Sequence, residues 1–226
     1  MSENTSENQP GTMATLFQSM VRNSLGLGLF SILTVGLISL TYVLTGDKIE
    51  EQVRNYEAKA LIEILPAETH DNVLLDTAIL LKPSKLLATQ REKKAYIALN
   101  RGVPTAVILP AVAPDGYNGR IELLVGVNRD GTLAGVRVVT HKETPGLGDK
   151  IDTKITHWIL GFTGKSLTSP GSSGWAVKKD GGQFDQFTGA TITPRAVVAA
   201  VYRTLKYFKA NKDFLLSPDN LEGSSL

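Results

Sequence analysis

Residues 121–140 read IELLVGVNRDGTLAGVRVVT, a stretch with two β-type runs separated by a turn. The runs are Ile121–Val127 and Leu133–Thr140, and both are rich in the branched apolar residues that strands prefer. Asn128-Arg129-Asp130-Gly131 lies between them, and its Asp-Gly pair is a strong signal for the tight turn of a hairpin. The sequence therefore predicts an antiparallel β-hairpin here.

Other apolar runs can extend this hairpin into a sheet. Ala106–Val112 is predicted to be a strand that ends at the turn sequence Pro114-Asp115-Gly116. Weaker extended segments are expected at Val73–Leu81, Ala95–Leu99 and Trp175–Val177, the last followed by a turn over residues 178–182.

A long helix is predicted near the C-terminus. Thr193 is a good N-cap and Pro194 suits the first helical position. The apolar stripe that follows has helical spacing and comprises Val197, Val201, Leu205 and Phe208. Beyond this helix, the residues from Leu215 to Leu226 are predicted to be a loose tail.

A second helix is predicted to begin at Asp149, which can cap it. Ile151, Ile155 and Trp158 would then share one face. The Gly-, Ser- and Thr-rich residues 161–174 are predicted to form a loop. The expected fold class is α+β: an antiparallel sheet with flanking helices.

One strongly apolar segment lies near the N-terminus. Residues 25–45 read LGLGLFSILTVGLISLTYVLT and carry no charge. About 20 such residues span a bilayer. A signal peptide has a shorter apolar region and a small-residue cleavage site, and a buried soluble helix of this length has a polar face. An uncleaved membrane helix is therefore predicted.

A further helix is predicted over residues 47–65, and Pro66 ends it. Its apolar stripe comprises Ile49, Val53, Tyr56, Ala60 and Ile64.

Composition excludes several classes of protein. The chain of 226 residues is 42% hydrophobic and 20% charged, which excludes a disordered chain and a polytopic membrane protein. Its net charge of +2 gives no support for nucleic-acid binding. It has no cysteine, so disulfides, thiolate metal sites, iron–sulfur clusters and cysteine nucleophiles are excluded together.

The segment DQFTGATITPR (185–195) is the first candidate site. Thr188, Thr191 and Thr193 place three hydroxyls around the predicted helix start, where free N–H groups favour a phosphate. Gly189 and Ala190 are small enough to let a bulky ligand approach the backbone, and Arg195 would add a cation. A plain capped helix without a ligand fits the same residues about equally well.

The segment HKETPGLGDK (141–150) is the second candidate. Its Gly-x-Gly has neither P-loop nor dinucleotide-binding spacing. His141 and Glu143 suggest a metal pair, but His70 and His157 lie in unrelated contexts, so no metal site is expected.

Three stretches together carry a resemblance to a known family: APDGYNGRIELLVGV (113–127), TPGLGDKI (144–151) and WAVKKDGGQFDQFTGATITP (175–194). They resemble the G subunit of the Rnf/Rsx electron-transport complex, a membrane ferredoxin:NAD oxidoreductase. The C subunit of the sodium-pumping NADH:quinone reductase is a sibling. The resemblance covers the membrane helix and nearly all of residues 47–210.

What the resemblance implies is an FMN joined by a phosphodiester to the last threonine of an S/T-G-A-T motif. That motif is Thr188-Gly189-Ala190-Thr191 here, so the attachment residue is Thr191. Thr188 stands where many relatives have Ser. A flavin transferase, which uses FAD as donor with magnesium, recognises this motif together with an upstream acidic residue that matches Asp185.

Thr193 is the rival attachment point, since its hydroxyl is also near the helix start. Its predicted capping role argues against it, and the resemblance also points to Thr191. The negative charge left on a phosphodiester would be stabilised by the helix start and Arg195. The opposite wall of the flavin site is expected to contain Glu143, Thr144, Leu147 and Gly148, with Lys178 or Trp175 nearby.

The sequence and the resemblance together predict a domain plan. Arg22 before the apolar segment and Lys48 and Arg54 after it give only a weak charge bias, but the short tail lacks a core and the large domain lacks cysteine, so a cytoplasmic tail with the domain outside is the simpler arrangement. Residues 1–23 would be a short cytoplasmic tail, 24–46 the transmembrane helix, 47–100 a membrane-proximal helix and mixed segment, 101–210 the extracytoplasmic FMN-binding domain and 211–226 a flexible tail. The protein would sit in the bacterial inner membrane with its large domain on the periplasmic side.

The implied function is electron relay through FMN for other subunits of the complex, which couples electron transfer to ion movement. The competing interpretation is an anchored extracytoplasmic binding or scaffold domain without a cofactor. A phosphate-ester hydrolase is a third class, but no base or metal constellation supports it.

Overall fold

The structure, a computed structural model, describes residues 11–217, apart from the side chains of residues 11–14, 47 and 49–57. The chain divides into two compact units, Met1–Arg54 and Asn55–Leu226. The described part of the first unit is helical, and the second unit has an antiparallel sheet with flanking helices, so the predicted α+β fold is confirmed. The predicted loose tail is wrong at its start, because Leu215 and Leu216 are buried in the core. The outer parts of both predicted tails, residues 1–10 and 218–226, lie outside the described residues.

Helix α1 spans Gly11–Ile64 and contains the apolar segment. Its part Thr15–Gly46 is long and apolar enough to cross a membrane, with a mean hydropathy of 2.1 and none of its most apolar stretch buried. A helix that is apolar all round and unburied is typical of a membrane span. The helix runs unbroken past Gly46 and ends just before Pro66, as predicted. The side chains of Ile49, Val53 and Tyr56 in the predicted stripe lie outside the described residues.

Five strands form one antiparallel sheet in the order in which they occur along the chain. They are β1 (Ala78–Leu81), β2 (Lys93–Asn100), β3 (Val103–Gly116), β4 (Gly119–Asn128) and β5 (Leu133–Thr140). The predicted hairpin is the pair β4–β5. In its turn the Asp130 carboxylate accepts hydrogen bonds from the Thr132 N–H and hydroxyl at 2.9 and 2.7 Å, which lower the pKa of Asp130.

The predicted turn at Pro114-Asp115-Gly116 is wrong, because β3 continues to Gly116 and pairs there with Gly119. The strand register shifts between Ala113 and Gly116. A proline is tolerated at such an irregularity because no ladder hydrogen bond from its nitrogen is needed. The chain reverses at the next two residues, Tyr117 and Asn118.

Helix α2 (Ile192–Leu215) covers one face of the sheet. The predicted stripe is confirmed, since Val197, Val201, Leu205 and Phe208 are all buried in that core. The predicted start is wrong: the helix begins at Ile192, so Pro194 is its third residue and Thr191 precedes it.

The last turns of α1 cover part of the other face. Leu61, Ile64 and Leu65 are buried there against residues of β2, β3 and β4. A Cβ at Gly135 would lie 3.4 Å from the Ile64 backbone, so the glycine lets the helix end approach the sheet closely. The guanidinium of Arg137 donates to the Glu63 carboxylate at 3.0 Å and to the Glu63 carbonyl at 2.9 Å. The end of α1 is thus part of the core of the second unit.

The predicted helix from Asp149 to Trp158 is wrong. The structure has two separate 3₁₀ helices, Asp149–Ile151 and Trp158–Phe162. Ile151 is buried whereas Ile155 is 54% exposed, so the expected common face does not exist. The Thr156 hydroxyl donates to the Lys150 carbonyl at 2.6 Å and so ends the first turn locally.

The smaller predictions are confirmed in part. Residues 161–174 are loop apart from the end of the second 3₁₀ helix and a short one at Ser172–Gly174. Trp175–Val177 is no strand; only Val177 makes a bridge, to Phe184. Within Val73–Leu81, a 3₁₀ helix (Leu74–Asp76) precedes β1.

Candidate functional site

A cavity of about 270 Å³ opens beside the first turn of α2, and we call it the Thr191 cavity. It is lined by Tyr117, Glu143, Thr144, Leu147, Gly148, Gly189, Ala190, Thr191, Ile192 and Thr193. The two candidate segments, which are some fifty residues apart in sequence, therefore meet at one site. Of the predicted site residues, Thr188 and Asp185 do not line it, and both are exposed.

Glu143 joins the walls of this cavity. Its side chain is only 4% exposed. One carboxylate oxygen, Oε1, accepts the Asn118 N–H at 3.0 Å, and the other, Oε2, accepts a short hydrogen bond from the Thr193 hydroxyl. A buried carboxylate needs such partners because desolvation without them is costly. Glu143 thereby ties the β3–β4 turn and the start of α2 to the segment that follows β5.

Two glycines make room for this carboxylate. A Cβ at Gly148 would lie 2.9 Å from both Glu143 Oε2 and Thr193 Oγ1. A Cβ at Gly116 would lie 2.9 Å from Glu143 Oε1. Both distances are shorter than real Cβ contacts, so a side chain at Gly148 would displace the carboxylate. A Cβ at Gly116 would also clash with the Gly119 carbonyl oxygen, so that glycine is required by the β3–β4 turn as well. Packing around Glu143 therefore explains the second glycine of the TPGLG sequence.

The first glycine of that sequence has a different role. Gly146 has φ +77°, a conformation that other residues adopt only with strain. It closes a turn in which the Thr144 carbonyl accepts the N–H groups of Leu147 and Gly148 at 3.1 and 3.0 Å. The Thr144 hydroxyl accepts from the Asn118 side-chain amide at 3.0 Å. These bonds give the cavity one ordered wall.

The opposite wall is a tight turn over residues 187–190. The Ala190 N–H donates to the Phe187 carbonyl at 3.1 Å, and Gly189 between them has φ +82°, as the third residue of a type II turn requires. A Cβ at Gly189 would also lie 3.3 Å from Leu147 Cδ2. The glycine thus serves both the turn and the approach of the two walls.

Thr191 lies at the mouth of the cavity. It is the N-cap of α2, yet its side chain makes no capping hydrogen bond, and its hydroxyl has no partner among the described residues. The N–H groups of Ile192 and Thr193 follow at once and have no acceptor in the described part of the chain. Free N–H groups at a helix start carry partial positive charge and bind anions.

Thr193 has a different environment, and its predicted capping role is wrong. The side chain is fully buried and its hydroxyl donates to Glu143 instead of accepting from the backbone. A glutamate fifty residues away in sequence takes the hydroxyl, which local capping rules could not foresee.

The expected cation is engaged elsewhere. The Arg195 guanidinium makes two hydrogen bonds of 2.6 Å with the Asp180 carboxylate, and Arg195 does not line the cavity. The hydrogen bond from Arg195 lowers the pKa of Asp180. The partial charge of the helix start is therefore left as the local source of positive potential.

The two other expected neighbours do not line the cavity either. The Lys178 ammonium lies 2.6 Å from the Asp185 carboxylate. Trp175 is buried, stacks on Tyr202 and donates its indole N–H to the Ser166 carbonyl at 3.0 Å. Both residues therefore have structural partners outside the Thr191 cavity.

His141 also has a structural role. Its Nδ1 accepts the Glu143 N–H at 3.1 Å, which orders the entry to the TPGLG segment. Within residues 11–217 as described, no group of three or more His, Asp or Glu side chains could hold a metal ion.

Tyr117 and Ile192 line the cavity but were not predicted to do so. Tyr117 is 65% exposed at the tip of the β3–β4 hairpin, and no local signature marks a hairpin tip as part of a site 70 residues downstream. Its only sequence signal was its place inside the stretch APDGYNGRIELLVGV.

Comparison with known proteins gives two family matches. A family model described as the FMN-binding domain matches residues 116–206, which contain all residues of the Thr191 cavity. A second, described as the RnfG N-terminal region, matches residues 13–64, which fall within α1.

Curated relatives match over nearly the whole chain. A Pseudomonas aeruginosa protein, named as the G subunit of an ion-translocating oxidoreductase complex, is 52% identical over 91% of this chain and 96% of its own length. Proteins of the same name from Pseudoalteromonas atlantica and Vibrio cholerae are 50% and 46% identical, over 90% and 88% of this chain and 94% and 95% of their own lengths.

Solved structures are similar to part of the chain. The crystal structure of Shewanella oneidensis NqrC matches with a TM-score of 0.46 at 26% identity, and the match covers 66% of this chain and 76% of that one.

Proposed function

The chain belongs to the family of G subunits of ion-translocating oxidoreductase complexes, and from this premise we propose that it relays electrons within such a complex through FMN attached to Thr191. The attachment is a phosphodiester between the FMN phosphate and the Thr191 oxygen.

The observation that carries the proposal is the unused hydroxyl of Thr191. It lies at the mouth of a cavity, beside the free N–H groups of Ile192 and Thr193. A phosphodiester retains one negative charge, and these groups are oriented to receive it. Thr193 is a poorer candidate because its hydroxyl is buried and bonded to Glu143.

The size of the cavity is compatible with a covalently held ligand that is only partly enclosed. Ligand pockets that enclose their ligand measure about 300–1,000 Å³, and this cavity of about 270 Å³ falls just below that range. A flavin-sized ligand would be partly outside it. A covalent bond keeps such a ligand in place, and partial exposure gives other redox centres access to it.

The residues of the chain supply attachment and position. Glu143 would keep the two walls together, and Gly189 would let the ligand approach the backbone. When bound, FMN supplies the capacity to accept and pass on electrons. Tyr117, exposed at the rim, is the side chain best placed to cover the ligand from the β3–β4 turn.

Maturation would need a flavin transferase. The transferase would use FAD as donor and magnesium as its metal cofactor. The Thr191 hydroxyl would lose its proton, and its oxygen would form a bond to the phosphorus of the FMN half of FAD. The bond between the two phosphates of FAD would break, which would release AMP. Asp185 is exposed two residues before the turn at 187–190, where a transferase could read it.

The cellular arrangement belongs to the same proposal. Thr15–Gly46 would anchor the chain in the bacterial inner membrane, with the short tail cytoplasmic and the cofactor domain periplasmic. The proposed domain plan is a tail (1–23), a membrane helix (24–46) within Thr15–Gly46, a membrane-proximal segment (47–100) and the FMN-binding domain (101–210). The last proposed part, 211–226, begins inside α2, whose final residue Leu215 is buried, so the tail can start only after that helix. Other subunits of the complex would be the electron donor and acceptor.

Co-expression with a flavin transferase tests the attachment. The full chain is denatured, and in-gel flavin fluorescence is read together with the mass gained. We expect the mass of one FMN less one water in the wild type, none in Thr191→Val, and full incorporation in Thr191→Ser. Colourless wild-type chain beside a labelled control substrate, which would fit the scaffold alternative, overturns the proposal. Fluorescence retained in Thr191→Val moves the attachment to another residue.

A further inference from the structure

A second, larger depression of about 540 Å³ lies next to the Thr191 cavity, and we call it the basic cleft. Four cationic side chains line it: Arg91, Lys93, Arg120 and Lys142. The single carboxylate in its lining is Glu122. The electron relay proposed above gives this cleft no role.

Most of these cations have no neighbouring carboxylate to neutralise them. The Lys93 ammonium lies 3.4 Å from the Glu122 carboxylate, so that pair is balanced. Arg91, Arg120 and Lys142 form no ion pair among the described residues, and all three are exposed. The cleft thus carries an excess of three positive charges, whereas the whole chain has a net charge of only +2.

The rest of the lining is polar. Besides the charged residues it comprises Thr89, Gln90, Asn118, Gly119 and Thr140. Such a surface favours a charged and hydrated partner over an apolar one. The volume is also larger than a single phosphate or carboxylate needs, so the lining suits an acidic segment with several carboxylates.

The basic cleft and the Thr191 cavity share two segments of chain. In the β3–β4 turn, Tyr117 lines the cavity and Asn118 lines the cleft. After β5, Lys142 lines the cleft and Glu143 lines the cavity. Hydrogen bonds from Asn118 to Glu143 and Thr144 join the two segments at this border. A partner seated in the cleft is therefore within a residue or two of the cavity.

We propose that the basic cleft is the docking surface for an acidic segment of a neighbouring redox subunit, held there by Arg91, Arg120 and Lys142. The proposal rests on the proposed function, because docking here would bring that subunit's redox centre next to the group on Thr191. Interfaces between redox partners are small, and charge complementarity speeds their encounter more than it adds affinity. A polar cleft with unpaired cations has these properties.

The test is a double charge reversal in the intact, membrane-embedded complex. The cleft variant carries Arg120→Glu and Lys142→Glu. The control variant carries Lys59→Glu and Lys209→Glu, which change the charge equally at exposed positions outside the cleft. Flavin fluorescence of the denatured chain is measured first, because it reports the proposed function separately. Electron transfer through the complex is then followed at several salt concentrations.

We expect both variants to keep their flavin. The cleft variant should transfer electrons at least tenfold more slowly than the control at low salt, because the reversed charges repel the acidic segment and weaken its docking. Added salt should narrow that gap, since exposed charges are screened by ions. Equal rates in the two variants overturn the docking proposal while leaving the attachment at Thr191 intact.

Zero-length carbodiimide crosslinking of the wild-type complex gives an independent reading. We expect amide bonds from Lys93 or Lys142 to Asp or Glu side chains of another subunit, and we expect the single variant Arg120→Glu to weaken the crosslink from Lys142. Crosslinks absent from both lysines overturn the proposal. Acetylation of Lys142 gives a further test. If inorganic phosphate protects Lys142 from acetylation in the isolated chain, and no other component of the complex protects it, the cleft is a small-anion site and the proposal is overturned.

Discussion

Thr191 and Thr193 line the same cavity, two residues apart, and have opposite environments. The Thr193 hydroxyl is fully buried and donates to Glu143, whereas the Thr191 hydroxyl is half-exposed and has no partner among the described residues. One threonine therefore holds the site together, whereas the other makes no structural hydrogen bond with its side chain among the described residues.

The difference shows how a site can be both ordered and reactive. A hydroxyl committed to a buried carboxylate is costly to remove and cannot easily be modified. A hydroxyl at a helix start with neighbouring free N–H groups costs little to alter and is accessible to an enzyme. Neighbouring residues of the same type can thus be assigned different roles by their partners alone.

The largest effect is expected at Thr191. In Thr191→Val, bound flavin should fall to background, while the free energy of unfolding of the flavin-free chain stays within about 0.5 kcal/mol of flavin-free wild type, because no hydrogen bond is lost. Fluorescence of the denatured chain and urea unfolding in detergent measure the two quantities. A large loss of stability would contradict the division of roles.

The next largest effect is expected at Glu143. Glu143→Ala removes the acceptor for the Asn118 N–H and the Thr193 hydroxyl, so the free energy of unfolding should fall by about 3 kcal/mol. Glu143→Gln keeps the shape and one acceptor and should lose about half as much. Tryptophan fluorescence during urea unfolding reports both, and equal stability of the Ala variant and wild type would contradict a structural role for Glu143.

Thr193→Val reverses the result expected for Thr191→Val. It leaves one oxygen of a buried carboxylate without its partner and should cost about 2 kcal/mol of stability. Flavin incorporation into the folded chain should continue, and Thr193→Ser should restore stability. Loss of flavin from a folded Thr193→Val chain would show that both hydroxyls serve attachment.

Gly148→Ala tests the fit around the carboxylate. The added Cβ would lie 2.9 Å from Glu143 Oε2 and Thr193 Oγ1. Overpacking costs about 1–3 kcal/mol, and the loss of glycine's freedom in the unfolded chain returns about half a kcal/mol or more, so a net loss of about 1 kcal/mol is expected. Gly161→Ala is the matched control, since nothing lies within 4 Å of a Cβ there. Equal stability of the two variants would argue against close packing at Gly148.

The smallest effect is expected at the Asp180–Arg195 pair. Because Arg195 lowers the pKa of Asp180 below its ordinary value of 3.8, the pair stabilises the fold above that pH and loses its effect as pH falls through the lower pKa. Wild type should therefore have a slightly higher melting temperature than Asp180→Asn at pH 7, and the difference should narrow as the pH falls through the lowered pKa of Asp180. A difference that persists in acid would assign it to packing.

The sheet and the long helix could be predicted because their signals are local. The β4–β5 hairpin follows from its Asp-Gly turn, and the face of α2 follows from the spacing of Val197, Val201, Leu205 and Phe208. The turn predicted at Pro114 was wrong because a proline is compatible with a strand where the strand register shifts. That shift depends on the pairing with β4, which the local sequence around Pro114 does not contain.

Most residues that line the Thr191 cavity could be predicted from the sequence, whereas the hydrogen bonds between them could not. Local rules singled out the threonines and small residues of segment 185–195 as a possible phosphate site. The resemblance to a family added the opposite wall at residues 143–148 and pointed to Thr191 as the attachment residue. The hydrogen bond from Thr193 to Glu143 and the part of Tyr117 in the lining depend on the tertiary fold, which brings a hairpin tip and a helix start together. Local capping rules therefore gave Thr193 the wrong role.

The packing of the last turn of α1 against the sheet determines where the chain can be truncated without loss of the fold. A fragment that starts after Pro66 would lose Leu61, Ile64 and Leu65, each of which is buried. At about 1.5–3 kcal/mol for each such side chain, that loss approaches the whole stability of an ordinary domain, about 5–15 kcal/mol. A soluble form of the cofactor domain must therefore keep the end of the anchoring helix, and proteolysis that removes it would release an unstable product.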